Sequence, residues 1–188
     1  MCRAQSPSAS IVADSATATG LKWDTPASGS LTLLSTTSLT GSSVTISSIS
    51  QSYKNLFIVI KDVYCSSDDV AIRVFCEYAT AQHNFQRMGL SGSSLATASD
   101  RLSNFMEIGR AGSNSGASYK ATVLLSIIDY TSANIKILNA NYFGVLNAGG
   151  RVSGVSNGTF TSGAIDSFLL DAEGANFSGG SVLIYGVN

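Results

Sequence analysis

The sequence predicts an all-β fold: an antiparallel two-sheet β-sandwich, jelly-roll-like, led by an extended N-terminal arm. Three observations carry this. From residue 30 onward, many segments alternate apolar and polar residues at period two, the spacing of a strand with one face buried. Clusters of Gly, Asn, Ser and Asp punctuate those segments at short, fairly even intervals, as hairpin turns require. No stretch keeps apolar residues at i, i+3, i+4, i+7 for three turns, so crossover helices are not expected and the sheets should be antiparallel.

Residues 1–29 hold both prolines, the only tryptophan and few apolar side chains, and show no periodic face to bury. They read as an extended arm for attachment or oligomer contact, with Leu21, Trp23 and Pro26 as its contact residues. A large indole in a polar arm needs a surface to dock on, either the domain or a neighbouring chain. Residues 30–188 read as the β-sandwich domain.

Within that domain, strands are expected over 30–39, 42–49, 54–64 and 70–78. Further strands are expected over 84–90, 102–108, 119–129, 134–146, 151–161, 165–170 and 180–187, with room for a helical turn in 95–107. The clearest case is Val70, Ile72, Val74, Cys76 and Tyr78 alternating with Ala71, Arg73, Phe75 and Glu77. The expected core is Ile46, Ile49, Leu56, Ile58, Ile60, Val123, Leu125, Ile127, Ile135, Ile137, Leu169 and Ile184. Turns near 66–69, 91–98, 112–117 and 147–150 form the expected exposed end. This number of strands suits a jelly roll better than a seven-stranded immunoglobulin-like sandwich.

Composition narrows the function classes. Among 188 residues, 12% are charged, about half the share of ~25% in ordinary soluble domains, and the formal net charge is −1. No basic surplus exists to neutralise a nucleic-acid backbone or an anionic bilayer, so neither partner is expected. The apolar runs are strand-sized, well short of a spanning helix. The first residues lack the apolar core of a secretory signal, so synthesis in a cytoplasm is expected.

Chemistry-bearing patterns are few. Gly154-Val155-Ser156-Asn157-Gly158 fits the letters of a nucleophile elbow, and His83 is the only histidine. An elbow needs a strand before it, a helix after it and a later histidine, and here the following residues continue as strand or turn while His83 lies upstream. No catalytic residue is therefore assigned. Cys65 and Cys76 are expected to be buried free thiols. Asp68-Asp69 reads as a turn pair capping backbone N–H groups. No phosphate-binding or dinucleotide fingerprint occurs, and no metal or cofactor is expected. Seven tyrosines are more than a small core needs, so some are expected at an interface or on bound sugar rings.

Two segments carry a resemblance. Residues 13–26, Ala-Asp-Ser-Ala-Thr-Ala-Thr-Gly-Leu-Lys-Trp-Asp-Thr-Pro, resemble a phrase that recurs in appendage proteins of tailed bacteriophages, often just before a terminal β-domain. Residues 48–56, Ser-Ile-Ser-Gln-Ser-Tyr-Lys-Asn-Leu, together with the closing Gly179–Val187 stretch, are similar to the small β-sandwich that follows it. The resemblance implies a structural virion protein, a trimer assembled in the host cytoplasm beside other virion proteins. It implies a tail-fibre or receptor-binding subunit that contacts a host surface glycan. The short leading segment, without a long shaft, leaves capsid decoration of the phage head as the alternative.

Overall fold

The computed structural model describes residues 10–13, 21–24, 31–76, 83–91, 94–113, 118–161 and 163–188. The chain divides into two compact units, residues 1–30 and 31–188. In the first, β1 (Ser10–Ala13) pairs antiparallel with β2 (Leu21–Asp24), placing Ile11 opposite Trp23. The segment expected as a plain extended arm thus contains a small two-stranded sheet. The side chains of Leu21 and Trp23, and Pro26 as a whole, lie outside the described residues.

The second unit is built from strands. They are β3 (Leu31–Ser38), β4 (Ser43–Ile46), β5 (Asn55–Cys65), β6 (Val70–Cys76), β7 (His83–Ser91) and β8 (Ser94–Ser103). There follow β9 (Met106–Ala111), β10 (Ala121–Ile128), β11 (Lys136–Val145), β12 (Arg151–Phe160), β13 (Phe168–Ala172) and β14 (Phe177–Val187). A 3-10 turn, Asn147–Gly149, joins β11 to β12. No helix among the described residues is long and apolar enough to cross a membrane.

Two antiparallel sheets result. The larger has eight strands in the order β3-β14-β5-β10-β11-β12-β7-β8, and the smaller has four in the order β4-β13-β6-β9. Alternation in sequence decides which side chains lie between them. Leu56, Ile58 and Ile60 of β5, Val123, Leu125 and Ile127 of β10, and Ile72 and Val74 of β6 are all buried in one continuous apolar cluster that draws on both sheets. Each such aliphatic side chain contributes roughly 1.5–3 kcal/mol by leaving water. Strand β5 absorbs one extra residue opposite β10, where Asp62 takes a left-handed conformation at φ 56°. That bulge is a position at which aspartate is among the better-tolerated L residues.

Nine of the twelve expected core residues are buried. Ile135, Ile137 and Leu169 are corrections. Ile135 is 60% and Ile137 50% exposed, and Leu169 is half-buried. In β11 the inward set is Lys136, Leu138, Ala140 and Tyr142, so Ile137 shares the outward face with Asn139 and Asn141. Turning Ile137 inward would bury both amides, since a one-residue slip moves every side chain to the other face. Burying one lysine is the alternative the fold adopts. Lys136 is wholly buried, and its ammonium donates to the Gly163 carbonyl beneath the Phe160 ring. In β13 the same logic pairs Leu169 with outward Asp171, which meets Arg73. The helical turn foreseen within 95–107 is absent. Residues 94–103 form edge strand β8, held by its pairing with β7 rather than by an apolar face.

Candidate functional site

Strands β11, β12, β7 and β8 lie side by side at one end of the large sheet and present their outward side chains together. Register places Asn139 opposite Asn157, Asn157 opposite Gln86, and Gln86 opposite Ser99. Gln86, Ser99 and Asn157 line a cleft of about 660 Å³ together with Asn84, Thr159, Ile137, Asp100 and Arg101. A second hollow of about 480 Å³ shares Gln86, Ser99 and Asn157 and runs on toward Met88, Thr97 and Val155. Planar amides offer donors and acceptors together, so the cleft suits a ligand rich in hydroxyl groups. The exposed Ile137 adds an apolar surface for the C–H face of such a ligand.

Directly behind these side chains runs a chain of linked charges, with Arg87 of β7 and Glu107 of β9 buried and Arg110 and Asp69 half-buried. Arg87 and Ser156 face each other across β7 and β12. Arg87 Nε lies 2.9 Å from Glu107 Oε1, a charge contact whose N–H is not aimed along it. Arg87 Nη1 donates to the Tyr142 hydroxyl at 3.1 Å. Arg110 Nη1 reaches the same Glu107 oxygen at 3.2 Å, and its Nε donates to Asp69 at 2.6 Å. Burial alone would lower the Arg110 pKa, but the hydrogen bond and charge of Asp69 and the charge of Glu107 carry it above its ordinary value. The network thus ties the Asp69 turn to the strands that carry the cleft. Bonded charges of this kind fix strand position, because a shifted strand would strand a guanidinium in the interior.

The sequence-level candidates fall elsewhere. Ser156 is buried in mid-strand, donating to the Glu107 carbonyl, and His83 lies four residues further along the paired strands, opposite Phe160. At ~3.3 Å per residue that is roughly 13 Å, far beyond a nucleophile–base contact. His83 Nε2 accepts the Cys76 N–H at 3.3 Å, and burial lowers its pKa to about 4. The elbow letters have a packing cause instead. Tyr142 passes over Gly154 and Gly89, so that a Cβ on Gly154 would meet the Met88 carbonyl at 2.5 Å and the Tyr142 hydroxyl at 2.6 Å. A Gly154→Ala chain is expected to lose about 1–3 kcal/mol, read as a lower urea midpoint, since backbone oxygen cannot yield as a flexible side chain would.

The remaining candidates resolve simply. Cys65 and Cys76 are buried free thiols in different sheets, and burial pushes the Cys65 thiol up to about 12. Asp68 Oδ1 accepts the backbone N–H groups of Ser113 and Asn147, as a turn aspartate does. No group of three or more His, Cys, Asp or Glu among the described residues has the arrangement to hold a metal ion. None of the tyrosines with described side chains is exposed, and Tyr130 and Tyr142 are buried with bonded hydroxyls. Sequence reasoning missed the cleft because its parts are some 70 residues apart and Ile137 was assigned inward. The parity of Asn139, Asn141 and Ile137 in β11 was the available signal.

Comparison with known proteins finds no matching family model, no matching curated protein and no matching solved structure.

Proposed function

We propose that the protein is a structural virion protein of a tailed bacteriophage, a tail-fibre or receptor-binding subunit whose amide-lined cleft takes a host-surface glycan. The observation that carries this reading is the cleft, with Asn84, Gln86, Asn157 and Thr159 converging beside exposed Ile137. Amide and hydroxyl groups next to an apolar patch, with Asp100 and Arg101 in the same lining, match the alternating hydroxyl and C–H faces of a sugar. The phrase in residues 13–26 and the strand-rich domain behind it support the virion assignment. A jelly-roll course for the sandwich, and attachment to the particle through Leu21, Trp23 and Pro26, belong to the same reading.

Immunogold labelling of purified phage particles, with antibody raised against this chain, tests it. Label at the tail is the expected result. Label over the head favours the capsid-decoration reading instead, and unlabelled particles overturn both. For the cleft, titration of host envelope polysaccharide against the purified chain is expected to give saturable binding. A Gln86→Ala, Asn157→Ala double variant should weaken that binding at least tenfold, and equal binding by the variant excludes this cleft.

A further inference from the structure

The cleft has one cationic end. On the outward face of the sheet, one cross-strand row runs from Ile137 to Thr159 to Asn84, and the next from Asn139 to Asn157, Gln86 and Ser99. Strand β8 then carries a bulge. Phe85 pairs with Asp100 and His83 with Ser103, so Arg101 and Leu102 together stand opposite the single Asn84. A bulge re-aims the side chains it holds, and this one sets Arg101 at the end of the row of Ile137, Thr159 and Asn84. Arg101 is exposed and lines the cleft. Asp100 lines it too, but its ladder partner Phe85 is buried inward, and side chains of paired residues share a face. The Asp100 Oδ1 accepts the Arg101 backbone N–H at 2.8 Å.

The guanidiniums of Arg73, Arg87 and Arg110 each pair with a carboxylate of the chain, and among the described residues none pairs with that of Arg101. Among the described outward side chains of β7, β8, β11 and β12, the other charge is Arg151, at the start of β12. It lies roughly 20 Å along that strand from Asn157 at ~3.3 Å per residue, too far to share the cleft.

Resting on the glycan reading of this cleft, we infer that the bound glycan contains an acidic sugar, whose carboxylate is taken by Arg101. The guanidinium fork matches the two oxygens of a carboxylate. One cation with no outward carboxylate beside it balances one negative charge, while the neighbouring amides take hydroxyl groups and Ile137 takes a C–H face. From Ile137 on β11 to Arg101 on β8 is about 14 Å at ~4.8 Å per strand, long enough for a short oligosaccharide. The acidic sugar lies at the β8 end. With a net charge of −1 the chain exerts no general pull on polyanions, so a preference for acidic glycan has to come from a local contact. A charge that only kept edge strand β8 from pairing with other strands would serve at any outward position along it.

Binding of the full-length chain to purified host envelope polysaccharide, native and carboxyl-reduced, tests this. Reduction turns each carboxylate into a primary alcohol and leaves the ring hydroxyls in place. The wild-type chain is expected to bind the native form about fivefold or more tightly than the reduced form. Arg101→Gln should remove that difference by weakening native binding alone. Arg151→Gln, which lowers the net charge equally, should keep it. The wild-type comparison stands whether or not a variant folds. Equal wild-type affinity for the two forms overturns the acidic sugar and leaves the glycan reading standing. So does a preference lost equally in both variants, which would mean net charge rather than this contact, or one that Arg101→Gln leaves intact, which would mean that Arg101 serves the strand edge alone. Binding of neither form overturns the glycan reading itself and this inference with it.

Discussion

A Glu107→Ala chain is expected to lose about 3–5 kcal/mol of stability. Glu107 is 8% exposed and serves two guanidiniums at once. Arg110 retains Asp69 after the change, but among the described residues Arg87 has no second carboxylate and keeps the neutral Tyr142 hydroxyl. The cost is therefore that of one uncompensated charge in the interior, larger than the net worth of the pair itself. For a unit of this size it corresponds to a fall of about 6–20 °C in Tm. Glu107→Gln, which keeps the shape and one acceptor, should fall less. The decisive variant is Arg87→Met with Glu107→Leu, which removes both charges together and should recover more than half of the loss, because an apolar pair of similar volume replaces an ion pair at little cost. If the double variant is as unstable as Glu107→Ala alone, packing rather than charge is the cause.

That network also shows where the sequence could be read and where it could not. Strands with an unambiguous parity, such as Leu56-Ile58-Ile60 in β5 and Val123-Leu125-Ile127 in β10, are buried as their alternation requires. Strand β11 has apolar residues at both parities, so alternation alone leaves two answers, and the tie is broken by Asn139 and Asn141. The fold adopts the parity that leaves both amides outward and buries Lys136, whose ammonium donates to the Gly163 carbonyl and lies over the Phe160 ring. Edge strand β8 could not be read from pattern at all, because Leu95, Thr97 and Ser99 point to solvent and the strand exists through its ladder to β7. The cleft was beyond reach for a different reason. Gln86 and Asn157 become neighbours only through the sheet order β11-β12-β7-β8, a long-range fact that no local period contains.

Acid should weaken the fold through His83, and the sign follows from its surroundings. The ring is fully buried, tilted against Phe160 at 4.9 Å between centroids, with Nε2 accepting a backbone N–H and Nδ1 without a partner among the described residues. Burial lowers the folded pKa to about 4, with no carboxylate among the described residues to offset the loss of water, against about 6.5 in the unfolded chain. Above pH 6.5 both states hold the neutral ring and His83 adds no pH dependence. Between pH 6.5 and 4 the unfolded state takes up a proton that the folded state refuses, so stability falls as pH falls, by about 3 kcal/mol in all. The carboxylates of the ion pairs add their own loss in acid, so the test is a difference. Urea unfolding of the wild-type chain and of a His83→Phe variant should be compared at pH 7 and pH 4. The variant loses the Nε2 acceptor and is expected to be the less stable at pH 7, a cost that does not change with pH. By pH 4 the wild-type chain should have lost about 3 kcal/mol more than the variant, about 1.5 M in urea midpoint at a slope of about 2 kcal/mol/M. Parallel losses in the two chains would show that the folded ring takes up its proton as readily as the unfolded one, and that its burial does not control the acid limit of the fold.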